Sequence, residues 1–127
     1  MQTIHIEATE RSPAVDFNFD TGQLSLRGES YPEDAASFFG PLLQALRDHA
    51  GPRADGALSM DLELAYFNSS SAKALMNMFQ VLENAAVAGV DVTINWHYHK
   101  DDDAMEEFGE DFAEDFEAAS FTLCPKH

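Results

Sequence analysis

Three consecutive serines, Ser69, Ser70 and Ser71, follow Asn68, and no other residues of this chain are so well placed for chemistry. The stretch Leu62-Glu-Leu-Ala-Tyr-Phe-Asn-Ser-Ser-Ser-Ala-Lys-Ala-Leu-Met76 reads as a strand that turns at once into a helix. A helix start leaves backbone N–H groups without intrahelical acceptors and carries the positive end of the dipole, so an anion is favoured there. A phosphoryl group on a serine would bring about −1.5 to −2 charges to that place. Lys73, one of only seven Lys and Arg residues, can turn toward it. The same residues also suit an ordinary N-cap, in which Asn68 or a serine accepts a first-turn N–H for about 1 kcal/mol. The two readings are compatible, and composition does not choose between them.

Two other groupings carry chemical potential. His97 and His99 alternate along one face of a strand, with Asp101, Asp102 and Asp103 just beyond. Such a set can bind zinc or another divalent ion, which would make the chain a small metal-dependent enzyme. The plainer reading puts both histidines on a solvated sheet face and the aspartates at the start of the next helix, and no third ligand sits at a fixed spacing. The second grouping is the run from Asp101 to Glu117, which holds ten acidic residues, among them Glu107, Glu110 and Asp111. It reads as the solvated face of an amphipathic helix, or more sharply as a docking surface for a basic partner. Asp61 and Glu63 alternate on one strand face, where solvated or edge-protecting charges are the ordinary reading. No nucleophile with its base, phosphate-cradling glycine loop or closed metal motif is present, so no enzyme activity and no cofactor are expected.

The elements that must position these residues follow from periodicity. Period-two alternation marks strands at Val15–Phe19, Leu24–Leu26, Leu58–Leu64 and Val90–Tyr98, with a short candidate at Phe121–Leu123. Asp20-Thr-Gly22 is a turn signal that joins the first two as a hairpin. Helical spacing marks Phe38, Phe39, Leu42, Leu43 and Leu46, with Pro32 in the first turn and Gly51-Pro52 as the stop. It marks a second helix from about Ser70 to Val87, stopped by Gly89. A third runs from about Asp102 to Glu117, striped by Met105, Phe108, Phe112 and Phe116. The glycines fall mostly at element boundaries. The order is ββαβαβα with a candidate last strand, an α/β domain of two layers. Clean alternation implies a mixed sheet with helices on one face, and the crossovers imply parallel pairing.

Length and charge bound the rest. A chain of 127 residues makes one domain, 1–127, with residues 1–12 and 118–127 as the expected loose ends. Seven basic against 23 acidic residues leave a formal charge of −16, which argues against nucleic acid and anionic membrane as partners. The lone Cys124 excludes an internal disulfide. There is no signal-like start and no membrane-length apolar run, so a cytoplasmic protein is expected.

Four motifs in order make the chain resemble a known family. Asn68-Ser-Ser-Ser-Ala-Lys-Ala-Leu-Met76 is similar to the strand-to-helix phosphosite of the SiaC family of regulatory phosphoproteins. Gly28-Glu-Ser-Tyr-Pro-Glu33 at the opening of the first helix, Val92-Thr-Ile-Asn-Trp-His-Tyr98 and Glu107-Phe-Gly-Glu-Asp-Phe112 fit beside it, spanning roughly residues 24 to 116. The resemblance implies a fold like the STAS domains of anti-sigma-factor antagonists, and a non-catalytic switch. It implies a serine/threonine kinase of histidine-kinase-like fold and a PP2C-type phosphatase as modifying partners. It also implies an effector such as a diguanylate cyclase, bound in the unphosphorylated state and linked to cyclic di-GMP and biofilm formation. The family's phosphosite, directly after the Asn, falls on Ser69, with Ser70 as the alternative. Asn68, Ser70, Ser71 and Lys73 would support it, and Tyr66, Phe67, Glu107, Glu110 and Asp111 are the expected partner contacts.

Overall fold

Residues 3–50 and 56–126 are described by the computed structural model. In chain order the elements are β1 (Thr3–Ile6), β2 (Ala14–Asn18), β3 (Gln23–Ser30), α1 (Ala35–Ala50), β4 (Ala57–Phe67), α2 (Ser69–Val87), β5 (Asp91–His99), α3 (Asp103–Glu114) and β6 (Ser120–Lys126). They build one six-stranded sheet in sequence order, antiparallel from β1 to β3 and parallel from β3 to β6. The hairpin and the parallel crossovers are those the sequence predicts.

Register explains why one face is dry. Ile6, Val15, Leu26, Leu62, Trp96 and Leu123 stand opposite one another in a single row across all six strands. The four central members of that row are at most 1% exposed and join one core with Phe39, Leu42 and Leu46 of α1, Leu75, Phe79 and Leu82 of α2, and Phe112 of α3. The neighbouring row, Asp16, Ser25, Asp61, Asn95 and Thr122, turns to the opposite face. The two-layer, one-sided sheet is therefore a direct product of period-two patterning.

Several expectations need correcting. The order opens with an additional strand, β1, paired with β2; the candidate last strand at Phe121–Leu123 is present as β6, longer than expected and paired with β5, so neither end is loose there. Ile4, Ile6, Phe121 and Leu123 pack partly buried against the core, a hydrophobic reason too short-ranged to read from four to seven residues. Pro32 lies before α1 rather than in its first turn. Asp34 opens that helix by accepting the Ser37 N–H at 3.1 Å and the Ser37 hydroxyl at 2.8 Å, and these bonds hold its carboxyl below the usual range. The Gly51-Pro52 stop lies outside the described residues. The α3 stripe is Met105, Gly109 and Phe112, continued by a buried Phe116; Phe108 is 44% exposed. Gly109 is thus no boundary glycine but a buried one inside α3. Among the described residues, no helix is long and apolar enough to cross a membrane.

The turn into β6 is held by a carboxylate. Glu83 of α2 accepts the backbone N–H groups of Glu117 at 3.2 Å, Ala118 at 2.9 Å and Ala119 at 2.9 Å. Burial pushes the Glu83 pKa up, but the three donors outweigh it and the net shift is downward. A lowered folded pKa means stability present above the ordinary Glu range and lost as pH falls through the folded value. Glu83→Gln should therefore lower stability at neutral pH by about 1 kcal/mol after allowance for solvent screening, read as a lower melting temperature. The gap to the wild type should close in acid. A gap that persists unchanged at pH ~3 would show that the carboxylate's charge is not what holds the turn.

Candidate functional site

The serine site is assembled where β3, β4 and α2 meet. The β3–β4 register slips between Gly28 and Glu29, so that Gly28 opposes Leu64 and Glu29 opposes Tyr66. Ala65 is the extra residue of this bulge, and Ala65 and Tyr66 are exposed in succession. Gly28 has φ +115, a conformation closed to most side chains, which suits a bulge. The slip brings Ser30 opposite Phe67, at the foot of α2.

Asn68 is the N-cap. Its backbone is extended (φ −91, ψ 177) and its side-chain oxygen accepts the Ser71 N–H at 2.9 Å. Its own N–H donates to the Ser30 carbonyl at 3.0 Å. The three serines then divide sharply. Ser71 is fully buried; its hydroxyl donates to the Ser30 carbonyl at 2.9 Å and accepts the Ser30 hydroxyl at 2.8 Å. Ser69 and Ser70, the first two residues of α2, are exposed. Only these two hydroxyls are open to a modifying enzyme, while Ser71 fastens the helix start to β3. Lys73 is exposed four residues after Ser69 and three after Ser70, the spacings at which helical side chains meet.

Ser71→Ala should cost about 1–3 kcal/mol, since it strands the buried Ser30 hydroxyl without an acceptor. The urea midpoint measures this, and a midpoint equal to the wild type would show that the pair is not a fastening.

The other expected contacts are placed unevenly. Tyr66 is 49% exposed and meets Tyr31 edge to face, with ring centroids 5.7 Å apart. Phe67 is a core residue at 7% exposure, packed on Trp96, Phe108 and Phe112, so it cannot contact a partner directly. Glu107, Glu110 and Asp111 are exposed on α3. Sequence reasoning missed Ser30 and Tyr31, reading both as part of a helix opening; the residues themselves were in view, but their partners lie 41 and 35 positions away.

The residues of the metal reading are drawn to different partners. His97 Nε2 lies 2.9 Å from Asp61, which also accepts the Asn95 side-chain amide at 3.1 Å. His99 instead accepts the Asp101 N–H at 3.2 Å, and Asp102 caps α3 by accepting the Met105 N–H at 3.1 Å. The two histidines thus serve different carboxylates. Among the described residues no three His, Cys, Asp or Glu side chains gather around a metal-sized space. Asp61 and Glu63 are engaged as well, Glu63 with Lys126, rather than freely solvated.

These features describe a two-layer α/β domain that presents accessible hydroxyls at the start of a 19-residue helix. The chain belongs to the SiaC family of regulatory phosphoproteins, whose pattern it matches over residues 6–126. It is similar to apo-SiaC of Pseudomonas aeruginosa, with 34% identity over the whole of both chains and a TM-score of 0.85. It is also similar to a chain of the crystal structure of diguanylate cyclase SiaD in complex with its activator SiaC, from the same species. There the identity is 32%, over 97% of this chain and 99% of that one, and the TM-score is 0.91. An uncharacterized protein of Pseudomonas aeruginosa strain UCBPP-PA14 is 37% identical over 117 residues, 91% of this chain and 90% of that protein.

Proposed function

We propose that this chain is a phosphorylation-controlled adaptor that binds and regulates a diguanylate cyclase while Ser69 is unmodified. The observation that carries the reading is the division of the serines: Ser71 is buried and bonded, whereas Ser69 and Ser70 stand exposed at the dipole's positive end. A phosphate on Ser69 is favoured by the first-turn N–H groups and by Lys73 one turn on. A serine/threonine kinase of histidine-kinase-like fold adds it, a PP2C-type phosphatase removes it, and the chain itself does no chemistry. The setting is the cytoplasm. The complex of the related SiaC with a cyclase supports the choice of effector.

The exposed carboxylates of Glu107, Glu110 and Asp111 on α3 form a second surface, suited to a partner with basic residues, while Tyr66 offers an exposed ring beside Tyr31. Charge at such a surface acts mainly on association rate, through steering that salt screens.

The test is the intact mass after incubation with ATP and the kinase, followed by mapping of the modified residue. One added phosphoryl group on Ser69 is expected. No addition, or addition confined to residues outside the β4–α2 junction, would overturn the switch.

A further inference from the structure

The helices pack on one face of the sheet, and among the described residues no helix covers the other. On that open face the row Asp16, Ser25, Asp61 and Asn95 runs beside the row Ala14, Arg27, Glu63 and His97. Both signs of charge are mixed there, on a chain whose formal charge is −16. Ten acidic residues fall instead in the run 101–117, in and around α3 on the covered side. Arg27 is exposed and, among the described residues, forms no ion pair, although Glu63 is its register neighbour. Two hollows of about 410 and 260 Å3 meet at Arg27 and Asp61, so the face has relief into which side chains of a second surface can fit.

From this pattern we infer that the open sheet face is the interface of a homodimer, two copies stacked face to face about a two-fold axis along the strands between β3 and β4. Six strands in sequence order have their midpoint there, so the overlap is complete: β3 lies over β4 of the second copy, β2 over β5 and β1 over β6. An axis parallel to the strands keeps each row at its own height. Arg27 of each copy then meets Glu63 of the other, Ser25 meets Asp61, Asp16 meets Asn95, and His97 faces the small Ala14. In these rows no two like charges stand opposite, and symmetry makes each pairing twice. Asp61 takes both Asn95 and His97 at Oδ1, which leaves Oδ2 for the second copy's Ser25 hydroxyl. Charge complementarity selects this occupant, since a purely basic or purely acidic partner would oppose part of the pattern. At ~4.8 Å per strand and ~3.3 Å per residue, six strands of about seven residues offer roughly 650 Å2 per copy, or about 1,300 Å2 in all. That exceeds the ~1,000 Å2 a specific interface needs. Stacked sheets rotate by roughly 30°, which least displaces the pairs beside the axis, Arg27 with Glu63 and Ser25 with Asp61. Both helix layers face outward, so Ser69 stays open in the dimer.

The test is sedimentation equilibrium of the full chain from micromolar to millimolar concentration, at a salt level that screens the long-range repulsion between two acidic copies. A monomer–dimer equilibrium is expected. Arg27→Glu and Glu63→Arg should each weaken self-association at least about tenfold, because each sets like charges against one another twice. An equal mixture of the two variants should associate again, since they present opposite charges to each other at both symmetry-related contacts. That recovery occurs only if the residues meet across the interface rather than within one copy. Arg47→Glu, exposed on α1, makes the same change in net charge and should leave association unchanged. A wild type that stays monomeric at millimolar concentration overturns the dimer. An association that Arg27→Glu leaves intact, or a mixture that does not recover, overturns this face as its interface. Should Glu63→Arg melt early through loss of the Lys126 ion pair, the contrast of Arg27→Glu with Arg47→Glu decides alone.

Discussion

Trp96→Ala is expected to destabilise the domain by about 3–5 kcal/mol, enough to leave a marginal fold largely unfolded at 37 °C. Trp96 is 1% exposed in the middle of β5 and meets Phe67, Phe112 and Phe121 at centroid distances of 5.8, 5.3 and 6.4 Å. Its indole N–H donates to the Met105 carbonyl at 3.0 Å, so the ring also fastens α3 to the sheet. Truncation would open a cavity and remove that fastening together. The same contact can be tested from the opposite side. A Cβ on Gly109 would lie 2.5 Å from Leu123 Cδ2 and 2.6 Å from Trp96 Cδ1. Leu123 sits on the edge strand and can yield, but the indole is held by its hydrogen bond and its neighbours. Gly109→Ala should therefore cost about 2–3 kcal/mol through overpacking, despite the better helix propensity of alanine. Chemical denaturation of the two variants checks both values. A Gly109→Ala protein as stable as the wild type would mean that α3 can lift off the sheet without loss.

Ser69→Ala and Ser69→Asp should separate in effector affinity by an order of magnitude or more, the alanine variant binding like the unmodified chain and the aspartate variant poorly. The expected direction follows from charge. Aspartate at the first position of α2 places an anion at the helix start within a turn of Lys73. It supplies only part of the phosphate's charge, so it should imitate the modified state incompletely. Neither substitution disturbs the cap, because Asn68 and Ser71 provide it. Stability should therefore be nearly unchanged, and a difference in affinity reports on the docking surface. Equal affinity of the two variants would remove Ser69 from the switch.

Local patterning determined much of this protein. Period-two alternation over Leu58–Leu64 and Val90–Tyr98 requires strands with one dry face, because neighbouring side chains must point oppositely. Asn68 ahead of an apolar helical run signals a helix start, since its side-chain oxygen can accept a first-turn N–H. The charge of −16 follows from counting. Only the tertiary structure decided what depends on residues far apart in the chain. Ser71 became a fastening because Ser30, 41 positions away, lies within hydrogen-bond distance of it. Phe108 left the expected core stripe because Gly109, closely apposed to Trp96, takes the inward position. His97 and His99 took different partners because Asp61, on the neighbouring strand, reaches only the first of them. β1 joined the sheet, and β6 grew beyond the candidate Phe121–Leu123, because a short strand gains its stability from a partner that its own sequence does not carry. Spacing along the chain shows which side chains share a face, and packing across it decides which of them remain open to a partner.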